Sequence, residues 1–405
     1  MTDLAPRGAP PAAATLRRAA PALLGYVAVR ALGLLVLAVW SAARDKDAYT
    51  LLTARWDALW YTRVAELGYG YEVRLPNGDV HSNLAFFPLL PWLERLLAAT
   101  TPLSYADAGF AVALLSSLAA AWGIFAVADH LYGSREQEGR ETRPWKGGGG
   151  RRAGICAVLL WAVLPVGIVQ SMAYSESLFT ALAAWSLYAL LTGRWATAGL
   201  LACLAGLTRP VGLAVAAAVW TAAVAALVRD RGRPRADRAS LLGPVLAMLL
   251  SPLGTAAYVL WVGRHTGKGP LSYLDVQAGW RNGFDGGYAF ARFVADKFTS
   301  FPSALAGVAL IAGVGLVAWL YVVCVRQGQP PPLLVYAGVV TALALCASSY
   351  FGSKPRLLLP AFPLLLPLAR ALARARTPTP ALVVGAAAVA SALYGAFWLN
   401  GSGPP

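Results

Sequence analysis

Apolar runs long enough to cross a bilayer recur from one end of this chain to the other, and they restrict its fold more than any motif does. They fall at roughly 19–42, 106–131, 153–171, 175–192, 195–207, 211–228, 241–263, 302–325, 331–349, 357–373 and 379–399. About 20 apolar residues span a bilayer as a helix. Inside lipid every backbone polar group must be satisfied within the protein. The expectation is an all-α polytopic membrane protein, one membrane-embedded domain over residues 1–405. The run at 195–207 is only about 13 residues. It forms either a tight hairpin with its successor, broken at Pro210, or one long kinked helix, which leaves ten or eleven spans. Composition agrees, with 58% hydrophobic and 13% charged residues and a mean hydropathy of +0.57, against about one quarter charged in soluble domains.

The net charge of +15 could suit nucleic acid, but the basic residues sit in short clusters between apolar runs. That is how cytoplasmic loops orient a polytopic protein, so nucleic acid is not expected as a partner. With the N-terminus inside, the cytoplasmic segments hold Arg17 and Arg18 in a tail over 1–18, a basic loop over 132–152, the run at 229–238, and Arg370, Arg374 and Arg376. Two long segments, 43–105 and 264–301, then face the opposite side. The first run is too long for a signal-peptide core and reads as an uncleaved anchor. Arginine outnumbers lysine and alanine is abundant, which suggests a bacterial cell membrane. Arg30 lies within the first run. It is either a functional intramembrane charge or a side chain snorkelling to the headgroups.

Cys156, Cys203, Cys324 and Cys346 all lie in apolar runs without CxxC spacing, and His81, His130 and His265 form no ligand pair. Neither a disulfide framework nor a metal centre is expected. "GRHTGKG" at 263–269 has the wrong spacing for a phosphate loop, and "KGGGG" at 146–150 reads as a linker.

Polar chemistry collects at one set of helix ends. In "ARWDALWYTRVAELGYGY", residues 54–71, Trp56, Leu59, Trp60, Val64 and Leu67 share one helical face, with Asp57, Tyr61, Thr62 and Glu66 opposite. That predicts an interfacial helix anchored by tryptophans, with Asp57 at headgroup depth. Asp57 could equally be the helix N-cap. "HSNLAFFPLLPWLERLL", 81–97, predicts a second interfacial helix behind a polar lip that starts at His81. Three short outer turns carry Glu176, Arg209, and Lys354 with Arg356. Basic residues are unexpected in outer turns. They bind a lipid phosphate there, or they pair with carboxylates inside the bundle, as Arg209 with Glu176.

"RWDALWYTRVAELGY" followed by "NLAFFPLLP", then "YSESLF", "LTRPVGL" and "KPRLLLPAFPLLLPLA", resemble in order the motifs of the GPI mannosyltransferase 2 (PIG-V) family, over roughly residues 20–375. That family is part of the GT-C superfamily of membrane-embedded glycosyltransferases. The resemblance implies a GT-C-like bundle, a polyprenyl-phosphate sugar as donor with mannose foremost, and reaction on the extracytoplasmic face. It implies Asp57 as catalytic base and inversion at the sugar. Arg209, Lys354 and Arg356 are placed to hold the donor phosphate. Arg55, Tyr61, Glu66, His81, Glu176 and Arg281 are weaker candidates for sugar or acceptor contacts. No cofactor or divalent metal is expected. The partners are the lipid-linked donor, membrane lipid and a glycolipid, glycan or protein acceptor; a small membrane partner is left open. The alternative is a transporter or flippase for lipid-linked glycans, which favours internal repeats and midplane charges. No repeat is visible between the halves.

Overall fold

The computed structural model describes residues 12–137, 149–231, 241–348, 350–376, 378–401 and 403. Most of the 132–152 loop, most of the 229–238 run and the start of the N-terminal tail lie outside these residues. The chain is helical almost throughout: α1 (Ala12–Ala42), α2 (Ala48–Thr53), α3 (Asp57–Leu67), α4 (Leu89–Thr100), α5 (Tyr105–Gln137), α6 (Gly149–Ala162), α7 (Ser175–Leu191), α8 (Trp195–Gly206) and α9 (Leu213–Arg231). There follow α10 (Leu242–Leu250), α11 (Leu253–Thr266), α12 (Tyr273–Gly279), α13 (Tyr288–Asp296), α14 (Ser303–Arg326), α15 (Pro331–Cys346), α16 (Lys354–Leu357), α17 (Leu366–Arg374) and α18 (Thr379–Leu399). Each predicted span finds a helix. By length and apolarity, six of these helical stretches can cross a membrane, or seven if the pair 351–357 and 362–374, bent by 72°, is counted as one. The others are shorter than the ten or eleven crossings expected. The run at 153–171, for instance, is α-helical only to Ala162 and ends in a 3-10 turn at Gly167–Ser171.

The broken helices explain Arg30. Its guanidinium donates from the middle of α1 to the carbonyls of Ala162 and Gly167, where α6 stops. Helix ends leave carbonyls unpaired, and lipid offers no replacement donor. Arg30 is buried, so it does not snorkel; it satisfies a neighbouring helix end. The break before α17 is treated alike: Trp161 Nε1 donates to the Leu359 carbonyl at 3.0 Å, and Tyr336 Oη to that of Pro360 at 2.9 Å.

The core is an alanine-rich seam among α1, α5, α6, α7, α8, α9 and α15. Small side chains let apolar helices approach closely, which is how helices associate without a hydrophobic driving force. α14 is the opposite case, with Leu305, Val308, Ile311, Leu316, Trp319, Val322 and Val325 all exposed; such a helix needs lipid around it. The turn between α8 and α9 is a hairpin rather than a kinked helix. A Cβ at Gly212 would lie 2.5 Å from the Gly206 Cα, so only glycine lets the chain fold back there and present Arg209.

Segment 43–105 departs from expectation in two ways. "LPNGDV" closes a β-hairpin, β1 (Glu72–Arg74) against β2 (Val80–Ser82), with Val73 opposite His81. Asn-Gly is a strong hairpin signal, and Gly78 adopts φ +87°. Moreover, α3 buries Ala58, Tyr61, Val64 and Ala65 and leaves Leu67 exposed. The face expected to point at lipid is therefore rotated, and Tyr61 points into the protein. Trp60 stacks on Phe86 at 5.7 Å and meets Trp280 edge-on at 4.9 Å. It locks two segments of protein together instead of anchoring α3 in the membrane. Neighbouring helices compete with lipid for an amphipathic face, and here they win.

Candidate functional site

Asp57 is the first residue of α3. Trp56 before it takes φ +52°, a left-handed conformation rare for a bulky side chain, and no side chain caps the helix. The carboxylate is therefore not a cap. Its Oδ2 accepts from Arg356 Nη1 at 2.8 Å, across 299 residues of sequence. Arg356 Nε lies 3.2 Å from Glu176 Oε1, and Arg209 Nη1 lies 2.5 Å from the same oxygen. Arg209 Nη1 also donates to Ser175 Oγ at 3.3 Å, which shares a 2.7 Å hydrogen bond with Tyr61 Oη. Four charges from four parts of the chain thus form one neutral network, Asp57–Arg356–Glu176–Arg209. Its outer member is Asp57, 27% exposed at the side chain, and its innermost is Glu176, at 2%.

The network is incompletely satisfied. The contacts to Glu176 are ion pairs by distance without hydrogen-bond alignment: both Glu176 oxygens and Arg356 Nε are buried with no aligned partner. A buried charge needs both a partner and satisfied hydrogen bonds to recover its desolvation cost. Tyr174, which sequence reasoning missed, lies under Arg356, its ring centroid 5.0 Å from the guanidinium carbon. Its signal, and that of Ser175, was adjacency to Glu176 in "YSESLF".

The structure gathers Asp57, Tyr61, Glu176, Arg209 and Arg356, and leaves the other candidates apart. Lys354 is buried and donates to the carbonyls of Ala344 and Ala347 at 2.9 and 2.6 Å. It sits over the rings of Phe290 and Phe351. Its charge closes the C-terminal end of α15, where cations are favoured, and fixes the turn that delivers Arg356. Arg55 lies over the Trp56 ring at 4.4 Å. Glu66 is exposed at the far end of α3. His81 and Arg281 form a second cluster: His81 stacks on Trp280 at 4.0 Å, and Arg281 pairs with Asp79 at 2.6 Å. Burial lowers the His81 pKa from its ordinary value, Asp79 opposing and Arg281 reinforcing that shift.

This second cluster is a seam between segments 43–105 and 264–301. Trp280 Nε1 donates to the Ser82 carbonyl at 3.0 Å, and a Cβ at Gly279 would overlap the Val80 carbonyl oxygen. Further on, Phe284 bridges to Ala347, just before the turn carrying Arg356. Segment 264–301 thus runs from the hairpin beside α3 to the end of α15. Among the described residues, no three His, Cys, Asp or Glu side chains come together as a metal-binding group.

An apolar helical bundle holding a carboxylate–guanidinium network at one end, beside short helices, defines an integral membrane protein with an embedded polar site. The family model described as Mannosyltransferase (PIG-V) matches residues 42–230, a little under half of the chain. That match supports reading the protein as a membrane glycosyltransferase. Asp57, Tyr61, His81, Glu176 and Arg209 lie within the matched span; Arg356 joins them through geometry. No curated protein matches the chain.

Proposed function

We propose that the protein transfers mannose from a polyprenyl-phosphate donor to an acceptor hydroxyl on the extracytoplasmic face, with inversion. The observation that carries this reading is the juxtaposition of Asp57 with Arg356 and, through Glu176, with Arg209. Asp57, the most exposed of the four charged groups, accepts the proton of the acceptor hydroxyl as that oxygen attacks the sugar C1. The bond from C1 to the phosphate oxygen breaks, and the polyprenyl phosphate leaves with a growing negative charge. Arg209 and Arg356 stabilise that charge. A phosphate leaves without a general acid, so one carboxylate suffices. A single displacement turns a β-linked donor into an α-linked product. The two guanidiniums supply fixed positive charge, so the reading includes no divalent metal. Lys354 acts at one remove, by fixing the turn before Arg356.

The topology belongs to the same proposal. Arg18, Asp129 and Arg151 meet at one end of the bundle, where Arg18 pairs with Asp129 at 2.7 Å. That end carries the basic segments, and the positive-inside rule assigns it to the cytoplasm.

The test is transfer of radiolabelled polyprenyl-phosphate mannose to membrane acceptors by the purified protein. Wild type should transfer label, and Asp57→Asn, inserted normally, should lose at least about a hundredfold in rate, the usual contribution of a general base. Equal transfer by both proteins refutes the role of Asp57. Lipid movement across vesicles without transfer by either protein favours a flippase.

A further inference from the structure

One oxygen of Glu176 holds two arginines. Arg209 Nη1 lies 2.5 Å and Arg356 Nε 3.2 Å from the same Oε1. The two guanidiniums are close enough for their charges to oppose each other. The transfer reading, on which this inference rests, uses both arginines and assigns Glu176 no part in the reaction. We infer that Glu176 is a positioning residue that determines specificity: its charge offsets one of the two guanidiniums, so that the site is matched to a phosphodiester and does not retain the phosphate monoester that transfer produces.

Three observations carry this. First, Glu176 is screened from a ligand by the arginines. Its side chain is 2% exposed, against 9% for Arg356 and 14% for Arg209. An incoming anion meets the guanidiniums, and Glu176 acts on it through them. Second, what Glu176 contributes is charge. Neither of its oxygens has an aligned hydrogen bond, and the directed bond of Arg209 goes to Ser175 Oγ instead, at 3.3 Å. Two adjacent guanidiniums hold Glu176 as the anion. So does its place in the first turn of α7, where the helix dipole favours negative charge. Third, the proposed reaction changes the charge on the phosphate. The donor phosphodiester carries one negative charge. When the bond from C1 to the phosphate oxygen breaks, its electron pair stays on that oxygen, and the polyprenyl phosphate leaves with a second charge. The acceptor oxygen bonds to C1, and its proton goes to Asp57. Arg209 and Arg356 by themselves present two positive charges and fit that product better than the donor. With Glu176 between them they present one, which fits the donor. Coulomb energy is proportional to the charge of the anion. Removing the charge of Glu176 therefore favours a dianion more than a monoanion.

Calorimetry on the full chain in phosphatidylcholine nanodiscs tests this with two short-chain probes. A prenyl methyl phosphodiester carries one negative charge, and the corresponding prenyl phosphate is close to the dianion at about pH 8. Wild type should bind the monoester no more than about threefold tighter than the diester. Glu176→Gln keeps the shape and removes the charge. It should bind the diester about tenfold tighter and the monoester about a hundredfold tighter, so the preference for the monoester widens about tenfold. The same exchange in an Arg209→Gln background leaves one uncompensated guanidinium rather than two, and should widen the preference by the same factor. An unchanged preference in these backgrounds overturns the inference, because a purely structural Glu176 would weaken both probes alike. A wild-type preference for the monoester beyond about threefold overturns it as well, and that arm needs no variant. Binding of neither probe by wild type would overturn the donor reading itself, and this inference with it.

Discussion

Glu94 offers a prediction that can be worked through from its surroundings. It lies on α4, outside the helices able to cross a membrane, and is fully buried, with neither carboxyl oxygen hydrogen-bonded. It faces α5 where that helix has Gly109; a Cβ there would lie 2.6 Å from Glu94 Oε1. Burial raises its pKa well above the ordinary 4.5, so folding favours the protonated acid. The sign follows. The stability tied to Glu94 is fully present below pH 4.5 and is lost as pH rises toward the folded value. Each pH unit over that range costs about 1.4 kcal/mol. Wild type therefore loses stability relative to an ordinary carboxyl as pH rises past 4.5, for as long as the folded acid stays neutral. Glu94→Gln keeps the shape and abolishes the titration. Thermal unfolding in detergent, followed from pH 5 to 8, should show the Gln variant gaining on wild type as pH rises, by at most about 1.4 kcal/mol per pH unit. A difference that does not change with pH, or a variant less stable than wild type at pH 8, would refute the argument from burial.

Other consequences are simpler to state. Arg30→Met should destabilise the protein by about 3–5 kcal/mol, because two buried carbonyls at the end of α6 lose their donors; a change in Tm near zero in detergent would show that water reaches them. Gly279→Ala should lift segment 264–301 off the β-hairpin at a cost of about 1–3 kcal/mol, and limited proteolysis should then cut that segment faster. His81 stacks face to face on Trp280, and its burial favours the neutral imidazole. Because the folded pKa is lowered, its contribution is present above the ordinary 6.5 and is lost as pH falls. Tryptophan fluorescence should titrate in that window in wild type and stay flat in His81→Phe. Lys354→Met should weaken transfer by misplacing Arg356, and a variant with full activity would remove Lys354 from the account.

Much of this was legible in the sequence, and the limit has a physical cause. Apolar runs fix helices and charge clusters fix which ends lie together, because lipid enforces both at the level of single residues. Asp57, Glu176, Arg209 and Arg356 stood out for that reason, as charges at helix ends that should be apolar or empty. Local pattern could not say which face of α3 is covered by protein, since an amphipathic helix buries against lipid or a neighbouring helix by the same rule. Nor could it show that α6 stops short and borrows Arg30 from α1, or that Glu94 has nothing to pair with. Those depend on contacts between residues over a hundred positions apart or on the fit of one helix against another. So does the pairing at the centre of the site: sequence placed Asp57 and Arg356 at the same end of the bundle, but only the packing of α3 against the turn after α15 brings them to 2.8 Å.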